Sequence, residues 1–262
     1  ILNYMPIEQI SRWLPEDIAN DDVRNYLYNK SIYPASLPAT REELFIEQAV
    51  ARQMLRLTTQ KTMSTLPPAF KSAGQNILPW VEPILASGSV ISHAPTPGQS
   101  LLMLLDGLQP AGVTTIVIDQ NDLLASLGAA AEANSLLAVQ VLESHAFLNL
   151  GTVIAPVGIA RKGTPILRVR ATFENGTETK HEIKFGSIEV IPLPQGQNAQ
   201  LHLQPLHRFD VGMGGPGRGG RVNVVGGTLG IVIDARGRPI QLPTDLDRRR
   251  EAMQRWLWTL GN

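Results

Sequence analysis

The chain has 262 residues, 43% hydrophobic, 18% charged and 5% aromatic, with 23 Lys and Arg balanced by 23 Asp and Glu. This apolar content supports one large core or two modest ones and excludes a disordered chain, while zero formal charge removes any global attraction to nucleic acid or anionic lipid. Cysteine is absent, which excludes disulfides, thiolate metal sites and a cysteine nucleophile and accords with a reducing, cytoplasmic setting.

Residues 1–66 read as a helical region. Asn20-Asp21-Asp22 has the composition of a cap for a helix over Val23–Lys30, and Thr40-Arg41-Glu42-Glu43 has the form of a capping box. Leu44, Phe45, Ala49, Met54, Leu55 and Leu57 give that second helix an apolar face out to about Thr59. Pro34 and Pro38 separate the two helices, and Pro67-Pro68 and Gly74 mark a linker.

Residues 77–150 alternate strand and helix, as an α/β layer does. An apolar strand over Trp80–Ile84 delivers the small-residue turn Leu85-Ala86-Ser87-Gly88-Ser89-Val90, and a helix is expected over Gln99–Leu108. Val113–Asp119 is a β-branched run suited to a strand buried on both faces. Asn121-Asp122 is placed to cap a helix from Leu123 to about Ala133, and Ser135–Glu143 is a third helix.

Residues 151–243 read as a β domain, a small barrel or a sandwich. Strands are expected at Ile166–Phe173 and Thr177–Phe185, joined by the hairpin pair Asn175-Gly176, then at Ser187–Ile191, Ala199–Leu206, Arg221–Val225 and Thr228–Asp234. Residues 244–262 form a C-terminal helix capped by Thr244-Asp245, with Leu246, Met253, Trp256, Leu257 and Leu260 inward and Arg248, Arg249, Arg250 and Arg255 toward solvent. The fold class is α+β. No apolar run nears the roughly 18 residues that span a bilayer. No secretory signal is visible, and a start at Ile1 reads as a piece of a longer protein.

Two segments could meet a ligand. At Ser87-Gly88-Ser89 a glycine backbone and serine hydroxyls could approach a nucleotide, with His93 just beyond; an ordinary strand-to-helix corner also needs glycine there. Asp119 ends a strand, where α/β sheets place ligand-facing residues, or else it caps the following turn. The run Gly212–Arg221 offers successive glycine N–H groups and two Arg, as an anion nest or as a flexible hairpin loop; it lacks the Lys-Ser/Thr ending of a phosphate loop. Over residues 205–262 nine Arg face five acids, a mild basic bias. The five histidines, His93, His145, His181, His202 and His207, lack the spacing of a metal site, Asp234 is expected to stabilise the Arg236-Gly237 turn, and no nucleophile or acid–base pair assembles.

Thr40–Arg52 (TREELFIEQAVAR), Pro97-Gly98-Gln99 with Leu104–Thr115 (LLDGLQPAGVTT), and Gly227–Pro239 (GTLGIVIDARGRP) resemble the later part of MutL-type proteins linked to glutamate mutase, which are unrelated to the mismatch-repair protein of similar name. The likeness runs from about Trp13 to Leu260. That family is similar to the actin-like ATPases, which include reactivating factors of adenosylcobalamin enzymes. The resemblance implies that residues 77–134 are part of the second ATPase lobe, with the Gly88 turn in place of the adenosine-contacting motif. Gly88 matches the first of that motif's two glycines, Ser89 replaces the second, and Pro95 stands for its later proline. It further implies ATP binding only in the full-length protein, no catalysis by this chain alone since no Asp-x-Gly-x-Thr strand is present, and a mutase-like enzyme as protein partner. A plain protein-binding module without a nucleotide site is the alternative.

Overall fold

The computed structural model describes residues 5–65, 78–144 and 146–261; the expected linker at Pro67-Pro68 and Gly74, and His145, lie outside them. Helices α1 (Ile7–Ser11), α2 (Asn20–Ile32) and α3 (Arg41–Thr65) come first. Ala19, not Asn20, is the N-cap of α2, because the Asn20 side chain accepts from Ser11 Oγ at 2.8 Å. Asp21 and Asp22 occupy the first turn instead, where the helix dipole favours them. Thr40 does cap α3: its Oγ1 accepts from Glu43 N at 3.2 Å, while Glu43 Oε2 accepts from Ala39 N at 2.7 Å. With neither Gly nor Pro between Arg41 and Pro67, α3 continues past Thr59.

The strand expected over Trp80–Ile84 is only β1 (Ile84–Ala86). Pro83 has no N–H to give a ladder, and side chains take over: Trp80 Nε1 donates to the Val113 carbonyl, and the Glu82 carboxylate accepts from Thr115 N and Oγ1 at 2.8 and 2.6 Å. Helices α4 (Ser89–Ser92) and α5 (Pro97–Leu108), strand β2 (Gly112–Asp119), and helices α6 (Leu124–Ala133) and α7 (Ser135–Leu142) follow. β2 is not buried on both faces: Val113, Thr115 and Val117 are half-buried and alternate with buried neighbours.

Strand β3 (Phe147–Ala155) has no counterpart among the expected elements and crosses the join at residues 150 and 151. Strands β4 (Pro165–Phe173), β5 (Glu178–Lys184), β6 (Ile188–Ile191), β7 (Asn198–Pro205), β8 (Gly220–Val225) and β9 (Ile231–Asp234) then match the expected set within a few residues. Helix α8 (Leu246–Thr259) is capped by Asp245, whose side chain accepts from Arg248 N. Its Met253, Trp256 and Leu257 are buried, followed by Leu260, but Leu246 at the first position is exposed.

The five-stranded sheet has the order β1-β2-β3-β9-β6 and the four-stranded sheet β5-β4-β7-β8. In the first, β1 and β2 are parallel, β2 and β3 antiparallel, β3 and β9 parallel, and β9 and β6 antiparallel; the second is wholly antiparallel. Alternation along the strands builds two cores. Val153 and Val232 join the helices, including Leu101–Leu105 of α5, whereas Ile154, Ile231 and Ile233 meet Leu167, Val169, Leu201 and Leu203 of the second sheet. The chain is thus layered helix, sheet, sheet, with helices first, a mainly β region after, and α8 returning to the helical side. Strands from both sides of residue 150 share the central sheet. Among the described residues no helix is long and apolar enough to cross a membrane.

Candidate functional site

β1 and β2 run parallel with Ala86 opposite Ile118, so both deliver their carboxyl ends to one edge of the sheet, where open α/β sheets bind ligands. Ser87 and Gly88 follow β1 directly. Gly88 has φ +114, and nothing lies within 4 Å of where a Cβ would sit, so the corner is open above it. Its carbonyl accepts from Ile91 N and Ser92 N, both at 2.9 Å, closing the single turn of α4. Ser89 and Val90, first in that turn, have N–H groups with no acceptor inside the helix.

Ser87, Gly88, Ser89 and His93 are all exposed and gather at this corner. The His93 ring leans back on its own turn, with Nδ1 3.0 Å from Ser92 Oγ and 3.3 Å from the Ser89 carbonyl. Asp119 is at the end of the neighbouring strand but fully buried. Its Oδ1 accepts from Asn121 N and Leu123 N at 3.2 and 3.0 Å, and its Oδ2 from Leu124 N at 2.8 Å. Burial pushes this carboxyl up, but the Leu123, Leu124, Asn121 and Asp122 N–H groups together hold it below its ordinary value. Of the two roles open to Asp119, these bonds are those of a cap for α6.

The expected capping pair Asn121-Asp122 is therefore redirected. Asn121 Nδ2 donates to the Ala146 carbonyl, and Asp122, at φ +52, accepts from Ser87 Oγ at 3.1 Å. Asp122 is the corner residue that the sequence reasoning missed. Its signal was an Asx residue three positions past a strand end, where a left-handed backbone is tolerated.

The opposite end of β2 holds a second constellation. Asp106 of α5 accepts from Arg52 Nε of α3 at 2.9 Å and from Arg236 Nη1 at 2.6 Å. Asp234, last in β9, accepts from Arg236 Nε and Arg238 Nη2, both at 2.8 Å. Arg238 Nε donates to the Pro110 carbonyl at 2.7 Å, and the Arg236 guanidinium lies 4.5 Å from the Trp256 ring centroid. All five charged side chains are at most 2% exposed. Burial alone pushes the Asp234 carboxyl up; Arg236 and Arg238 outweigh it and hold the group well below the carboxylate range.

Arg52, Asp106 with Pro110, and Asp234 with Arg236 and Arg238 come from the three segments that carry the family resemblance, and here those segments meet. A cavity of about 170 Å³ lies beside the cluster, lined by Phe185, Arg236, Arg238 and Trp256 among others. The expectation that Asp234 stabilises its own turn is met by its bond from Arg236 N at 3.2 Å and by its pairs with Arg236 and Arg238, two and four residues on; the long-range links run from Arg236 to Asp106 and from Arg238 to the Pro110 carbonyl.

Of the run Gly212–Arg221, residues up to Gly219 lie in the loop joining β7 to β8, while Gly220 and Arg221 open β8; Arg218 and Arg221 are exposed. Gly212 N donates to Asp210 Oδ1 and Gly217 N to the Phe209 carbonyl, both at 2.8 Å. Gly212 has φ +80, and a Cβ on it would come within 3.1 Å of the Gly112 Cα, so the loop is seated on the start of β2 by backbone contact. Among the described residues no group of three His, Asp or Glu could hold a metal ion.

The family model described as MutL protein matches residues 1–146, which include the corner, α3 and α5. No curated protein and no solved structure matches the chain.

Proposed function

This chain belongs to the MutL protein family, and from that premise we propose that it is the C-terminal portion of an actin-like accessory protein. The whole protein, in this proposal, reactivates or assists an adenosylcobalamin-dependent, mutase-like enzyme and does so in response to ATP. The observation that carries the nucleotide part is the open corner at the carboxyl ends of parallel β1 and β2, where nothing occupies the space above Gly88.

The residues present fit one edge of a nucleotide. Ser87 and Ser89 hydroxyls and the Ser89 and Val90 N–H groups would meet the adenosine part, and His93 borders it. ATP would supply phosphate chemistry, for which this corner carries no Lys or Arg, and its exposed acid, Asp122, accepts from Ser87 Oγ. Phosphate-contacting acids belong to the part of an actin-like fold that precedes this one, so within the full-length protein this chain would take part in binding and not in hydrolysis. Ser87 Oγ to Asp122 Oδ1 connects the corner to the helices after β2, a route by which occupancy would alter a docking surface.

Isothermal titration of the full-length protein with ATP tests this. Saturable binding is expected, weakened at least tenfold by Gly88→Val, since a β-branched residue at φ +114 is strained and its side chain fills the open space. No adenine-nucleotide affinity in the unaltered protein removes the proposal.

A second reading, a protein-binding module without a nucleotide site, is favoured by a cleft of about 890 Å³ between the two sheets. Trp80, Glu82, Met213, Arg221 and Val225 line it, and β8 beside it is an edge strand. Retention of all partner capture by an Arg218→Ala/Arg221→Ala double variant would exclude the Gly-rich loop as the contact.

A further inference from the structure

α8 turns one stripe inward, with Ala252, Met253, Trp256 and Leu257 buried. Arg249 continues that stripe, three and four residues before Ala252 and Met253, and it is half-buried where its run of arginines suggested solvent. Two bonds hold the start of α8 on the chain that follows α1, from Arg250 Nη2 to Asp17 and from Gln254 Nε2 to the Pro15 carbonyl. Arg12, the residue after α1, is also half-buried, its guanidinium 5.2 Å from the Trp13 ring centroid. Trp13 Nε1 donates to Gln53 Oε1 of α3 at 3.0 Å. Arg56, three residues on from Gln53 and one turn on from the buried Arg52, is the third half-buried arginine.

Among the described residues no carboxylate pairs with Arg12, Arg56 or Arg249. Asp17 is bonded to Arg250, Glu16 to Arg41, and Asp106 to Arg52 and Arg236, while Glu8 and Glu251 are exposed. The residues outside those described contain neither Asp nor Glu. Burial lowers the proton affinity of Arg12, and the charge of Arg249 lowers it further. Burial lowers that of Arg56 as well, with the charge of Arg12 added and that of Asp106 opposing. The three cations therefore act on one another through a partly dry space. Together with the adjoining cluster of Arg52, Arg236 and Arg238, six guanidinium groups face the two carboxylates of Asp106 and Asp234, an excess of four. Charges withdrawn from water are ordinarily paired, and for the outer three the chain itself supplies no partner.

We propose that Arg12, Arg56 and Arg249 form a binding site for a small phosphate-bearing anion where α1, α3 and α8 meet. Donor geometry selects phosphate over carboxylate. A guanidinium is a planar fork that takes two acceptors at once, and one such fork satisfies a planar carboxylate. Three forks carried by three elements call for acceptors in several directions and for more than one negative charge, and a tetrahedral phosphate has both. The site adjoins the ionic cluster through Arg52 and Asp106, and it needs no nucleotide at the Gly88 corner.

Isothermal titration of the full-length protein at low ionic strength tests this, with inorganic phosphate in one arm and pyrophosphate in the other. Saturable binding is expected. Uptake of inorganic phosphate marks a site for the free ion, and uptake of pyrophosphate alone marks a site for the linked phosphates of a larger molecule. Arg12→Gln/Arg249→Gln should weaken binding at least tenfold. Arg249→Gln alone, at a side chain without a hydrogen bond among the described residues, should weaken it at least threefold with circular dichroism unchanged. Arg248→Gln, exposed on the same helix, and Gly88→Val, at the corner, should each leave the affinity within twofold. No binding of either anion, binding that survives the double variant, or an equal loss with Arg248→Gln overturns the proposal.

Discussion

Replacing Asp106 by Asn changes almost no volume and one charge, at the point where α3, α5 and the segment after β9 are tied together. The native cluster holds Arg52, Arg236 and Arg238 against Asp106 and Asp234, one excess positive charge in a site closed to water. Asp106→Asn doubles that excess and weakens two charge-assisted bonds, to Arg52 at 2.9 Å and Arg236 at 2.6 Å. Removing one partner from a buried ionic pair costs about 3–5 kcal/mol, because a charge remains without its counter-ion. Against a total stability of roughly 5–15 kcal/mol this is a large share, and it corresponds to a fall in Tm on the order of 10 °C. Urea titration at neutral pH, with the slope required to stay unchanged, measures the loss. The double variant Arg52→Met/Asp106→Asn restores the native excess of one and should be more stable than Asp106→Asn alone. A cost below about 1 kcal/mol for Asp106→Asn, or a double variant at least as unstable as the sum of the singles, would refute the charge-balance argument.

Acid should act through Asp234. Its folded-state proton affinity lies below the unfolded value, so the unfolded chain binds more protons; the stability it contributes is complete above the ordinary aspartate range, near 4, and is lost as pH falls through the lower folded value. Asp234→Asn should therefore flatten the acid limb of a stability-against-pH curve while lowering its plateau. Gly212→Val should destabilise by about 1–3 kcal/mol through the left-handed backbone, with added strain where the loop meets Gly112, as read by thermal unfolding. Asp119→Ala removes three backbone bonds and should raise amide exchange selectively over 121–142, with α3 and α5 still protected. Thr40→Ala should cost about 0.5–2 kcal/mol, measured by urea unfolding, with fraying at the start of α3.

Much of the architecture was legible because local chemistry decided it. Thr40 and Asp245 cap where their spacing puts them, Asn175-Gly176 turns its hairpin with Gly176 at φ +80, and Arg168 and Arg170 face solvent opposite Leu167 and Val169. The strand at Phe147–Ala155 was hidden by its irregularity. Its register against β2 shifts between Ile116 and Val117, and Gly151, where a Cβ would stand 2.0 Å from the Gly230 carbonyl, interrupts the apolar run. The ionic cluster was hidden by distance, since its partners are 54 and 130 residues apart. A local sign did exist: Asp106 stands in Leu-Leu-Met-Leu-Leu-Asp-Gly-Leu, and Asp234 closes Ile-Val-Ile-Asp. A carboxylate inside an apolar run is buried with its element, and a buried carboxylate requires cations from elsewhere. Asp234 finds its cations in its own turn, at Arg236 and Arg238, whereas those of Asp106 come from 54 and 130 residues away.

β2 connects these two ends physically. It spans about 23 Å from Gly112 to Asp119, with Gly112 against the Gly212 loop and Pro110, just before it, held by Arg238. Its other end carries Asp119, which fixes α6, beside the Ser87–Asp122 bond of the corner. The ionic end is closed, cross-linked through buried charge and inaccessible, so it sets where β2 lies and has little capacity to move. The corner itself, at Ser87, Gly88 and Asp122, is exposed, and its two sides are joined by the single Ser87–Asp122 hydrogen bond, worth about 1 kcal/mol. Displacements in such a structure concentrate at the weaker end. A ligand at the proposed Gly88 site would therefore act on the part of the sheet that can respond, against an anchor assembled from residues as distant as Arg52 and Arg238.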